Sequence, residues 1–155
     1  MTTTTGAFNA LRAKLLETPA IQDAQGNVLP FRFQAEDGGP LPDIPAAFAY
    51  VEFQNQGAGR GPVSFGGGRG ANLYRNEGLL MVYAFVPADI GLAVATDLAE
   101  AIAGRLRSFR DADVSCFAAS VHPIGDGLTP SGLSSEVNNY TCAIAEIVFH
   151  FDQIG

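Results

Sequence analysis

The stretch LLMVYAFVPADIGLAVATDLAEAIAGRLRSFR (residues 79–110) decides how the rest of the chain is read. Its first eight residues are apolar on both strand faces, as in a central strand covered on two sides, or covered on one and packed on a partner by the other. Pro87 ends that run and a helical period replaces it. Ile90, Val94, Leu98, Ile102, Leu106 and Phe109 form one stripe, with Asp97, Glu100, Arg107 and Arg110 largely away from it. Asp89 stands where a helix cap belongs, and Arg105, Arg107 and Arg110 gather near the end, where cations complement the helix dipole.

Working outward, AFAYVEFQ (residues 47–54) places Phe48, Tyr50 and Glu52 on one strand face and Ala49, Val51 and Phe53 on the other. Downstream, VSCFAASV (residues 114–121) and YTCAIAEIVFHF (residues 140–151) read as two more strands. The last puts Ala143, Ala145, Ile147, Phe149 and Phe151 on one face and Cys142, Glu146 and His150 on the other. A threonine tract, Thr2 to Thr5, can cap a first helix within residues 1–20, where Phe8, Leu11 and Leu15 precede Pro19. Residues 22–45, rich in turn formers, read as a connector in which only VLPFRF suggests an edge strand. The expected architecture is a single α+β domain over residues 1–155, with a mostly antiparallel sheet, flanking helices and a long strand-connecting loop at residues 57–70.

The chain has 155 residues, 47% of them hydrophobic and 16% charged, which suits one compact core. Nine basic against 16 acidic residues, a net charge of -7, argue against broad contact with nucleic acid, which needs clustered cations to displace counterions. No apolar run is long enough for a membrane helix, and the N-terminus lacks the pattern of a signal peptide, so a cytoplasmic protein is expected. Cys116 and Cys142 lie in apolar runs without metal-ligand spacing and read as buried free thiols.

Arginine and glycine crowd GAGRGPVSFGGGRGANLYRNEG (residues 57–78). A phosphate cradle requires a helix N-terminus after the glycines, and here a strand follows. An RNA-binding arginine-glycine tract is normally longer, repeated and interleaved with aromatics, whereas this loop is internal. A mobile hairpin connection is the plainer reading, but its length points to function. Tyr74 and Arg75 at its base suit either anchors for a partner or the start of a strand.

Catalytic and metal-binding patterns are thin. Neither His122 nor His150 sits beside a serine or cysteine in a recognisable nucleophile setting. The acidic residues Asp23, Glu36, Asp37, Asp43, Asp111, Asp113 and Asp126 are scattered over turns, without metal-binding spacing. No catalytic, cofactor or metal residue is assigned.

The run from about Phe31, through PDIPAAFAYVEF, the glycine-rich loop and NLYRNEGLLMVYAFVPADIGLAVATDLAEAIAGRLRSFR to the two closing strands, resembles the tail terminator-like proteins of long-tailed bacteriophages. The likeness covers roughly the last four fifths of the chain and rests on element order and a loose pattern. It implies a lambda-type tail terminator fold, a structural and non-enzymatic role, and a six-membered ring of copies at the head-proximal end of the tail tube. There it would stop tube growth and offer the head its docking surface. The expected partners are further copies of the chain, the tail tube protein and head-tail connector proteins, with DNA only in passage and no membrane. The expected location is the neck of a virion or gene-transfer particle, with assembly in the host cytoplasm. Under the resemblance, the loops at residues 57–70 and 125–135 become contact elements, with Arg60, Phe65, Arg69, Tyr74, Arg75 and Asp126 as candidate interface residues. Another neck component is the alternative within this class, and a small ligand-binding domain or enzyme the alternative outside it.

Overall fold

A computed structural model describes residues 2–55, 63–68, 70–131, 133 and 137–154. Helix α1 (Thr4–Leu15) is followed by β1 (Phe31–Phe33), β2 (Phe48–Asn55), β3 (Val63–Phe65), β4 (Leu73–Pro87), α2 (Leu92–Leu106), β5 (Ser115–Asp126) and β6 (Tyr140–Ile154). The strands form one six-stranded sheet in the order β1-β2-β4-β6-β5, with β3 beside β4. Only β1 against β2 is parallel; the other pairings are antiparallel. The protein is therefore α+β, as the alternation of strand and helix periods predicts.

One apolar face of residues 79–86 is fully covered and the other is covered from Tyr83 onward. On one side, Leu80, Val82, Ala84 and Val86 join Ala49, Val51, Ala143, Ala145, Ile147 and Phe149 beneath the two helices. Helix α2 contributes Ala95, Leu98, Ala99, Ile102, Ala103 and Leu106, and α1 contributes Ala7, Leu11 and Leu15. Phe149 and Phe151 are essentially buried here, each stabilising the fold by roughly 1.5–3 kcal/mol relative to exposure. On the other side, Phe48, Tyr50, Tyr83, Phe85, Tyr140, Cys142 and Ile144 form a second cluster, covered by Leu41, Leu128, Leu133 and Val137 from the connecting segments.

Several local expectations are corrected. Asp89 does not cap α2: the cap is Gly91, whose φ of 95° suits a residue without a side chain, and the helix starts at Leu92. Ile90 and Phe109 lie outside the helix yet still pack on the core. The helix stops at Leu106, so of the three arginines only Arg105 lies in its last turn. Its guanidinium donates to the carbonyls of Glu17 and Pro19, each at 2.5 Å, and so ties α2 to the segment leaving α1.

Part of the stretch at residues 57–70 is strand. Its VSF segment is β3, paired with Leu73, Tyr74 and Arg75 at the start of β4. Strand β4 therefore begins well before the apolar run and pairs with β6 over fifteen positions, from Leu73↔Ile154 to Pro87↔Tyr140. The start of β4, the end of β6 and β3 together extend the sheet as an arm beyond the contact of β2 with β4, which ends at Asn55↔Gly78. Residues 22–45 are anchored by β1 and by Arg32, whose guanidinium donates to the carbonyls of Gly39 (2.6 Å) and Pro40 (3.0 Å). Cys116 and Cys142 are free and buried, and burial pushes both thiols up to about 12.

Candidate interaction surface

The face of the sheet opposite the helices is covered only in part. Strand register places its side chains in rows across β4 and β6: Leu73 with Ile154, Arg75 with Asp152, Glu77 with His150, Leu79 with Val148, and Met81 with Glu146. Glu52 on β2 lies beside Met81, and Ser120 on β5 lies beside Glu146. Beyond Met81 begin the covered aromatic rows. Towards the arm, two charged rows lie between the apolar rows of Leu79 with Val148 and Leu73 with Ile154, and Phe65 is 46%, Phe117 50% and Ile154 57% exposed. Such a face, with large apolar side chains in water, is suited to a partner surface.

The charged groups on this face differ in their surroundings. Arg75 donates from Nε to Asp152 Oδ1 and from a terminal nitrogen to Oδ2, both at 2.8 Å, a fork that matches the carboxylate. These bonds hold the Asp152 carboxyl below its ordinary range and push the Arg75 guanidinium up. Partial burial, followed by the nearby Arg75 charge, pushes His150 down from its ordinary value near 6.5. Its ring lies 5.4 Å from that of Phe117. Glu52, only 7% exposed, accepts a hydrogen bond of 3.0 Å from the Tyr83 hydroxyl, which burial pushes up. Glu77 is exposed, and Glu146 lies 3.9 Å from His122. Among the described residues, no lysine or arginine forms an ion pair with Glu52, Glu77 or Glu146.

One grouping on this face joins a serine, a histidine and a carboxylate. Ser120 Oγ lies 3.1 Å from His122 Nε2, and Glu146 approaches that same nitrogen. A nucleophile relay needs the serine and the acid on opposite ring nitrogens, so that one accepts a proton while the other is held. Here both compete for one nitrogen. A polar cleft of about 280 Å³ where Arg75, Asp111, Asp113, His150 and Asp152 meet is also committed internally. Arg75 and Asp152 hold each other, and Asp111 Oδ1 accepts from the amides of Asp113 (2.7 Å) and Val114 (2.8 Å). Among the described residues no set of three or more side chains is placed to hold a metal, and no helix is long and apolar enough to cross a membrane.

The residues singled out in the sequence distribute unevenly. Arg60 and Arg69 lie outside the described residues. Phe65 is exposed on β3, with the Arg75 guanidinium 5.4 Å from its ring centre. Arg75 already has an in-chain acidic partner. Tyr74 is half-buried between Ser64 and Gln153 in the ladder, on the helix side of the arm. Asp126 ends β5 and accepts from the Thr141 hydroxyl, away from the arm. Of the 125–135 loop, Leu128 and Leu133 pack inward on the aromatic cluster. The structure thus brings Phe65 and Arg75 together, and adds Glu77, Leu79, Phe117, Glu146, Val148 and Ile154. The alternation of Cys142, Glu146 and His150 hints at that face; only the register across β4 reveals its width.

The described residues define an α+β protein whose half-open sheet face is its most developed candidate surface. A scan against models of known protein families finds no match to the chain, and a search of curated proteins finds none either.

Proposed function

We propose that this chain is a tail terminator-like structural protein of a long-tailed bacteriophage or gene-transfer particle. It closes the head-proximal end of the tail tube as a ring of copies, six on the family pattern, stops tube growth and presents the surface to which the head docks. The observation that carries this reading is the sheet face left half-covered, with Phe65, Phe117 and Ile154 exposed beside charged rows. An architecture of this kind is completed by another protein surface. The resemblance over the last four fifths of the chain supplies the kind of assembly. A net charge of -7 is compatible with a channel through which DNA passes without being held.

The test is native mass measurement and negative-stain imaging of the purified chain, alone and mixed with tail tubes of the particle that encodes it. Rings seated on one end of the tube are expected, with tube elongation arrested. A chain that stays monomeric and leaves tube ends bare would overturn the reading.

A further inference from the structure

We infer that the outer edge of β5 pairs, antiparallel and about a two-fold axis, with the same edge of a second copy of this chain. This goes beyond the ring reading and does not depend on it, because the seam lies on a strand edge and not on the half-open face. β5 ends the sheet, and among the described strands only β6 pairs with it. At its start the Cys116 N–H donates outward to the Phe109 carbonyl at 2.8 Å, so the row of Cys116 with Phe149 makes no bond between β5 and β6. Alternation along β6 then turns Val148, Glu146 and Ile144 towards β5, and Ile147, Ala145 and Ala143 away from it. Their partners Ala119, Val121 and Pro123 accordingly aim their backbone groups out of the sheet. Pro123 has no N–H to offer and sits where a missing ladder donor costs least. Beyond Cys116, no backbone bond reaches this edge among the described residues. Asn55 and Val63 lie on the far side of β4, Ile154 at the arm, and Leu133 and Val137 over the aromatic cluster, so the undescribed residues join the chain away from this edge.

The free window from Phe117 to Pro123 is complementary to itself. An antiparallel register centred on Ser120 sets Ala119 against Val121 of the second copy and Val121 against its Ala119, each pair exchanging both backbone bonds. The same register sets Phe117, 50% exposed, against Pro123 of the second copy and beside its Ile124, 46% exposed. The two large apolar side chains that β5 leaves in water thus cover each other. Centring on Val121 would instead oppose Ala119 to Pro123 and lose a donor. The chain's other short edges do not fit the window, since β1 and β3 are three residues each. Charge agrees as well: residues 115–125 hold no Asp, Glu, Lys or Arg, whereas an edge kept unpaired is normally guarded by such charges, lysine above all. The register shifts at Phe117 and Ile124, which can blunt an edge, stand at the ends of the window and set its length.

The experiment is sedimentation velocity on the full-length protein without tubes, where wild type is expected to be a dimer. Ala119→Pro removes an outward N–H and no bond to β6, and should weaken dimerisation at least about tenfold. Ser120→Lys sets like charges opposite each other at the axis and should weaken it by about as much. Ser120→Cys reads the register. At the axis the two thiols form a close, non-hydrogen-bonded pair, so under oxidised glutathione this variant should link covalently at least about tenfold faster than Ala118→Cys, while the buried Cys116 and Cys142 stay free. A monomeric wild type, a dimer whose affinity both Ala119→Pro and Ser120→Lys leave unchanged, or equal linking by the two cysteine variants overturns the inference. If the edge dimer forms and tube ends stay bare, the ring reading fails and this inference stands. If a chain that is monomeric in solution caps tubes as rings, the ring reading stands and this inference fails.

Discussion

Arg75 and Asp152 face each other across β4 and β6 through two hydrogen bonds of 2.8 Å, where the arm has left the contact of β2 with β4. Replacing Asp152 with Asn should leave the core intact and cost about 1 kcal/mol, because the pair is partly exposed and solvent screens it. The sign with pH follows from the lowered Asp152 carboxyl. Its contribution is full above the ordinary carboxylate range and is lost as pH falls through the depressed folded value. Urea titrations at neutral and acid pH should therefore differ more for wild type than for Asp152→Asn. Equal differences would show that the pair does not contribute.

His150 shifts stability in another pH window. Its folded value is lowered by burial and by Arg75, so on acidification the unfolded chain takes up a proton near 6.5 before the folded chain does. Stability then falls from that pH down to the depressed folded value. In His150→Gln the drop in melting temperature between pH 7.5 and 5.5 should shrink. An unchanged drop would assign the slope to other groups.

Gly78 marks a close approach in the centre of the sheet. A Cβ built there lies 2.1 Å from the Phe149 ring, so Gly78→Ala should destabilise by about 2 kcal/mol through overpacking. Combining it with Phe149→Leu should recover part of that loss, because the ring is the obstacle. Denaturant midpoints of the two single variants and the double variant measure the coupling.

The tyrosines beside Glu52 should behave oppositely. Tyr83→Phe removes the 3.0 Å bond to a carboxylate that is itself buried, at an expected cost of about 1–3 kcal/mol. The Tyr50 hydroxyl is buried without a hydrogen-bond partner among the described residues, so Tyr50→Phe should be neutral or slightly stabilising. Thermal melts decide between them, and an equal loss in both would mean that Glu52 draws on each.

Elements with a strong apolar period were legible in the sequence. Residues 79–86 and the alternating face from Ala143 to Phe151 could be placed because burial repeats along them. β1 and β3 are three residues each, too short for a period to register, and β1 acquires its identity only from parallel pairing with β2. The start of β4, LYRNEG, carries no continuous apolar face, since it runs along the arm beside polar partners such as Asp152 and Gln153. The candidate surface was less legible still. Glu77 and Glu146 are far apart in sequence and come onto one face, on either side of the Leu79 and Val148 row, only through the register of β4 on β6, which no local pattern encodes.

The fifteen-position ladder between β4 and β6 gives the arm a mechanical character. At about 3.4 Å per residue, each strand is a rod of about 50 Å whose two ends belong to different environments, one beneath helix α2 and one at Leu73 and Ile154, where β3 brings Phe65 alongside. No hinge interrupts the backbone bonds between them. Bending the arm against the packed centre therefore means twisting the two strands or breaking ladder hydrogen bonds, because the ladder offers no looser joint.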